Sequence, residues 1–111
     1  MKLNEIADPE VQRGTVVLDK PDDDARRPKM YQVILHNDDY TPAELVAELL
    51  KMYFNKARND AIAIMMQAHE TGSARVGVYP KDVAETKVQQ SMAFAHSHEF
   101  PLLMTTEVMP D

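Results

Sequence analysis

Residues 31–54, YQVILHNDDYTPAELVAELLKMYF, contain the decisive change of period in this chain. Tyr31, Val33 and Leu35 alternate with Gln32 and Ile34, which predicts a short strand with one face wholly apolar and the other partly so. Asn37, Asp38 and Asp39 end it, because short polar side chains compete with a strand's ladder and favour turns. In Thr41, Pro42, Ala43, Glu44, the threonine can cap a helix, the proline suits its first position, and the glutamate completes a capping box. Tyr40 and Leu45 are spaced for a hydrophobic staple. The helix is expected to start at residue 42 and to bury Leu45, Val46, Leu49, Leu50 and Tyr53, whose spacing is near 3.6.

Downstream, Phe54 and Asn55 mark a break, and a second helix is expected from about Lys56 to Thr71, with Gly72 as its left-handed stop. Its inward face is read as Ile62, Met65, Met66 and His69. Ala74 to Tyr79 reads as a strand. Pro80 then opens a third helix carrying Val83, Ala84, Val88, Met92 and Ala95 on one face. Pro101 ends the next turn, and Leu102, Met104, Thr106 and Val108 form one face of a last strand. The predicted order is strand, helix, helix, strand, helix, strand, without internal repeats.

Upstream, residues 1–29 hold scattered apolar residues without a sustained period, an acidic run (Asp22, Asp23, Asp24) and then Arg26 and Arg27. Such a segment buries too little surface to offset its ordering entropy, so we expect a flexible N-terminal extension ahead of a core domain at residues 30–111. A folded part of roughly 80 residues has room for one modest core, covering about 60% of its unfolded surface.

A net charge of -6 in 111 residues argues against nucleic acid and anionic lipid as partners. The absence of cysteine removes disulfides, thiolate metal sites and a thiol nucleophile. There is no signal-peptide pattern at the N-terminus and no apolar run near the ~20 residues of a membrane span, so a cytoplasmic protein is expected.

Signatures of hydrolases, nucleotide binders and zinc proteases are missing. Asn37, Asp39, Thr41 and Glu48 match four positions of a calcium loop, but Pro42 stands where that loop requires glycine. His96 and His98 are two apart, hence on different sides of a helix, and read as solvated surface residues. No metal or cofactor is expected. The remaining constellation is the polar cluster His36 to Asp39 ahead of a helix, and His69 on the face that carries Ile62 and Met65. Taken alone, His69 reads first as a core histidine bonded to a carbonyl.

Four stretches together resemble the ClpS adaptor family: residues 31–54, AIAIMMQAHETG (61–72), GVYPKDVAETKV (77–88) and HEFPLLMTTE (98–107). NDDYTP and VAETKV occur in the family's order and spacing, and the resemblance spans residues 30–108. It implies a compact α/β (α+β) domain with a three-stranded antiparallel sheet on three helices. The implied function is non-enzymatic: an adaptor grips the free N-terminal Leu, Phe, Tyr or Trp of N-degron proteins for the ClpAP protease.

Carried over by position, Asn37, Asp38 and His69 would hold the α-amine, with Asp39 adding negative charge. Thr41, Val46, Met65 and Leu102 would line the side-chain pocket, together with Ala43 and Ala68. Ala43 departs from the family's common methionine, and Ala68 from a bulkier apolar residue. Asp82, where the family often has Glu, would form with Glu85 and Lys87 a docking edge for the N-domain of a Clp-class unfoldase, ClpA. A monomer is expected. The rival readings are a small hydrolase using His69 with Asp39, and a structural protein-interaction module without a pocket.

Overall fold

The structure, a computed structural model, describes residues 28–110. The expected extension at residues 1–29 therefore lies almost wholly outside the described residues. Strand β1 (Met30–His36) leads to helix α1 (Ala43–Phe54), helix α2 (Arg58–Thr71), strand β2 (Ser73–Pro80), helix α3 (Lys81–Ser97) and strand β3 (Leu103–Val108). The sheet is ordered β2-β1-β3 with both pairings antiparallel, so the first strand of the described residues is central.

Alternation decides which face of β1 is covered. Val33 and Leu35 are buried under the helices with Ala74, Val76 and Met104 from the edge strands. On the opposite face a polar row crosses all three strands: Arg75 Nε donates to Gln32 Oε1 at 3.1 Å, and Gln32 Nε2 to Glu107 Oε1 at 3.0 Å. Between β1 and β2 the register slips at Val33/Ile34, where Val33 faces Gly77 and Ile34 faces Arg75, leaving Val76 as the extra residue of a bulge.

Helix α1 starts at Ala43, and its first carbonyl acceptor is Pro42, whose oxygen takes the N–H of Leu45 and Val46. The capping box is not formed: no side chain caps the helix, because Thr41 is engaged by Asp38. Tyr40 stands 77% exposed and makes no staple. The expected stripe otherwise packs inward, with Val46, Leu49 and Leu50 buried and Leu45 and Tyr53 half-buried against the core.

Helix α2 buries Ala61 and Ala68 and rests Ile64 and Met65 on the core. The expected inward face is thus rotated, and Met66 and His69 are exposed. In α3 the buried residues are Ala84, Val88, Ser91 and Ala95. Val83, expected inside, is exposed, while Ser91 is tolerated in the core because its hydroxyl donates to Lys87 O at 2.8 Å.

Gly72 ends α2 at φ 98°, with its N–H on Ala68 O. A methyl group there would meet nothing within 4 Å, so the penalty for Gly72→Ala comes from the left-handed backbone alone. We expect a loss of about 1 kcal/mol, read as a fall of roughly 4–8 °C in thermal midpoint.

At the other end of the sheet, Lys87 Nζ donates to Tyr53 O at 2.7 Å and lies 5.9 and 5.4 Å from the ring centroids of Phe54 and Tyr79. Burial raises the Tyr79 phenol above its ordinary pKa.

Candidate functional site

The polar turn after β1 is built around one carboxylate. Asp38 Oδ1 accepts the N–H of Tyr40 at 2.9 Å and of Thr41 at 2.7 Å, and Oδ2 accepts the Thr41 hydroxyl at 2.9 Å. A carboxylate offers about four acceptor positions, so three are spent on the turn and about one stays available. The chain is next tied to α2 through Asn37 N–H, which donates to Gly72 O at 3.0 Å. That bond brings the end of β1 against the last turn of α2, where His69 sits.

Between these segments lies a cavity of about 290 Å³. Its rim is Asn37, Asp38, Asp39 and His69; its walls include Thr41, Ala43 and Val46 from the start of α1, and Met65 and Ala68 from α2. Leu102, 2% exposed and immediately ahead of β3, closes the floor. All ten residues assigned from the resemblance to the amine and side-chain subsites therefore border one hollow. It is below the ~300–1,000 Å³ usual for small-molecule pockets and suits something the size of a single residue.

The rim is polar and largely unsatisfied. Among the described residues, the side chains of Asn37, Asp39 and His69 make no hydrogen bond or ion pair with other protein groups. Field direction matters as well. The carboxyl end of α2 brings the negative pole of a helix to the cavity, and Asp38 accepts the Thr41 N–H just ahead of the positive pole of α1. The mouth thus carries the carboxyl groups of Asp38 and Asp39 above an apolar floor.

Two residues that border the cavity were not singled out in the sequence for it, Leu35 and Met66, and His36, named there within the polar cluster, was given no role in the site. His36 is bonded through Nε2 to Thr105 Oγ1 at 2.8 Å and follows Leu35 on β1, so strand alternation beside the polar turn was the available signal. Met66 was lost to the misread face of α2.

His96 and His98 are exposed, as expected of surface histidines, yet both are engaged. His96 Nε2 lies 3.1 Å from Leu102 O, and His98 Nδ1 lies 2.9 Å from Phe94 O with its ring 4.6 Å from that of Phe94. Asp82 and Glu85 are exposed on the first turns of α3. Met30 pairs with Pro80 and His36 with Ser73, so those carboxylates stand at the sheet end opposite the cavity, about 20 Å away along β1. Lys87 is half-buried, its ammonium held as described above. No group of three or more metal-ligating side chains occurs among the described residues, and none of their helices is long and apolar enough to cross a membrane.

Fold and cavity define a small α/β domain with one hollow, polar at its rim and apolar at its floor. A family profile described as ATP-dependent Clp protease adaptor protein ClpS matches residues 26–105. The ClpS adapter of Parvibaculum lavamentivorans is 46% identical over 94 residues, 85% of this chain and 86% of that protein. That of Rhodospirillum centenum is 47% identical over 94 residues, 85% of each. Among solved structures, Agrobacterium tumefaciens ClpS2 bound to L-phenylalaninamide superposes with a TM-score of 0.73 at 44% identity, covering 75% of this chain and all of that one. The chain belongs to the ClpS family of ATP-dependent Clp protease adaptor proteins.

Proposed function

We propose that this protein binds the free N-terminal residue of N-degron proteins, where that residue is Leu, Phe, Tyr or Trp, and delivers them to the ClpAP protease. The observation that carries this reading is the unsatisfied rim above an apolar floor. An ammonium has three donors and no acceptor, so leaving water requires acceptors on several sides. Asn37 Oδ1, the remaining position on Asp38 and a ring nitrogen of His69 supply them, and Asp39 adds charge. Thr41, Val46, Met65 and Leu102 receive the side chain. L-Phenylalaninamide, bound by the Agrobacterium relative, pairs a free α-amine with an aromatic group, which is the chemistry this cavity suits.

Energetically, burial of the guest side chain contributes about 1.5–3 kcal/mol, whereas micromolar affinity needs about 8 kcal/mol. Charge-assisted hydrogen bonds must supply much of the difference. Fluorescence anisotropy of a Leu-initial peptide against the same peptide starting with Met tests the reading. Clear preference for Leu is expected, and equal weak binding of both would leave only an interaction module.

Ala43 sets a further expectation. With a methyl group at the mouth of the cavity, an Ile-initial peptide should bind within about tenfold of its Leu counterpart, a difference of ~1.4 kcal/mol. Ala43→Met should widen that gap, and strong rejection of Ile by the natural protein would contradict a broadened pocket.

For delivery, Asp82, Glu85 and Lys87 form the edge that docks the unfoldase ClpA, with one Lys87 donor already used on Tyr53 and the exposed carboxylates leading. Residues 1–29 act as an extension used in handing substrate over, ahead of the core at 30–111. Removing them should spare peptide binding and abolish degradation of a Leu-initial reporter by ClpAP; undiminished degradation would deny them that role. The adaptor works as a cytoplasmic monomer.

A further inference from the structure

We propose that Met66 is an oxidation site through which hydroperoxides weaken the cavity's hold on an apolar side chain. This rests on the binding reading given above. The chain has eight methionines and no cysteine, so its thioethers are its readily oxidised sulfur groups. Their settings differ sharply. Met104 is 1% exposed, and half-buried Met92 accepts the Met104 N–H on its sulfur, with N and S 3.5 Å apart. Met30, Met52 and Met66 are exposed, and of these three only Met66 borders the cavity.

The geometry of α2 produces this. Ala61 and Ala68 define its buried side, and Met66, two residues before Ala68, is turned about 200° from it. His69 follows Met66 by three positions and shares its side of the helix. One flexible thioether thus forms cavity wall while standing 51% exposed, open to a small oxidant.

In the reaction a sulfur lone pair attacks one oxygen of the peroxide. The S–O bond forms as the O–O bond breaks, sulfur loses two electrons, and the departing oxygen takes the proton of the oxygen under attack and leaves as water or an alcohol. The sulfoxide is a strong, polar acceptor in place of an apolar contact. A guest side chain would have to strip water from it, which predicts affinity lower by on the order of tenfold.

The test treats the full-length protein with hydrogen peroxide, maps oxygen addition by peptide mass spectrometry, and follows a Leu-initial peptide by anisotropy before and after. For the natural protein, Met52→Leu and Met66→Leu, the readout is each protein's ratio of treated to untreated affinity. The natural protein and Met52→Leu should each weaken about tenfold as Met66 is oxidised, and recover with methionine sulfoxide reductases acting on both epimers. Met66→Leu should keep a ratio near one. Equal weakening of Met66→Leu, unchanged binding with Met66 oxidised, or resistance of Met66 while Met30 and Met52 react would each overturn the inference. Untreated protein that ignores the peptide would instead bring down the binding reading, and is seen before peroxide is added.

Discussion

A Leu-initial peptide with an acetylated α-amine is expected to bind on the order of 100-fold to 10,000-fold more weakly than the same peptide with a free amine. Acetylation removes the charge and two of three donors, and a charge-assisted hydrogen bond contributes about 1.5–3 kcal/mol. Two such bonds amount to about 3–6 kcal/mol, at roughly 1.4 kcal/mol per factor of ten. Among the described residues, the side chains of Asn37, Asp39 and His69 also have no protein partners, so an acylated terminus would cover acceptors it cannot satisfy. A loss below about threefold in anisotropy would mean that the side chain alone is recognised.

The second large effect concerns Asp38, where shape and charge separate. Asp38→Ala removes the acceptor of Tyr40 N–H, Thr41 N–H and the Thr41 hydroxyl together, so both stability and binding should fall. Asp38→Asn keeps an oxygen for the two backbone donors, and the Thr41 hydroxyl can turn to accept from the new amide. The turn then survives while the negative charge beside the amine is lost. We expect Asp38→Asn to unfold within about 1 kcal/mol of the natural protein yet bind Leu-initial peptide about 10-fold to 100-fold more weakly. Titration calorimetry alongside thermal melts separates the two. Full affinity in Asp38→Asn would assign Asp38 to the turn alone.

That dual role also explains what the sequence did not disclose. Thr41 fits a capping box, but a carboxylate three residues earlier engages both its N–H and its hydroxyl, and a charged acceptor outcompetes a neutral helix end. The helix still forms at Ala43, since Pro42 presets the backbone and the apolar stripe from Val46 to Phe54 supplies the burial. Strand β1, helix α1 and the Gly72 stop were legible because their signals are local.

The face of α2 was not. Its buried residues are alanines, which add little to a hydrophobic pattern, so the larger Ile62, Met65 and Met66 dominated the reading. Ser91 in place of Val83 inside α3 has a similar cause: a hydroxyl satisfied by its own helix packs as a small residue. The sheet order β2-β1-β3 depends on pairing between distant segments, which no window of sequence contains. For the cavity, the chemistry of the turn was visible at residues 36–39, but its convergence with His69 and Leu102 was suggested only by the family resemblance. Asn37 bonded to Gly72, and Leu102 set just ahead of β3, are the contacts that bring those parts to one place.

A crystal of this protein grown with L-leucinamide or a Leu-initial peptide tests the central claim most directly. The account predicts the leucine side chain between Val46, Met65 and Leu102, with its ammonium within hydrogen-bonding distance of Asn37, Asp38 and His69. An empty cavity in a crystal whose peptide sits elsewhere on the domain, or an ammonium turned out to solvent away from those three residues, would contradict it.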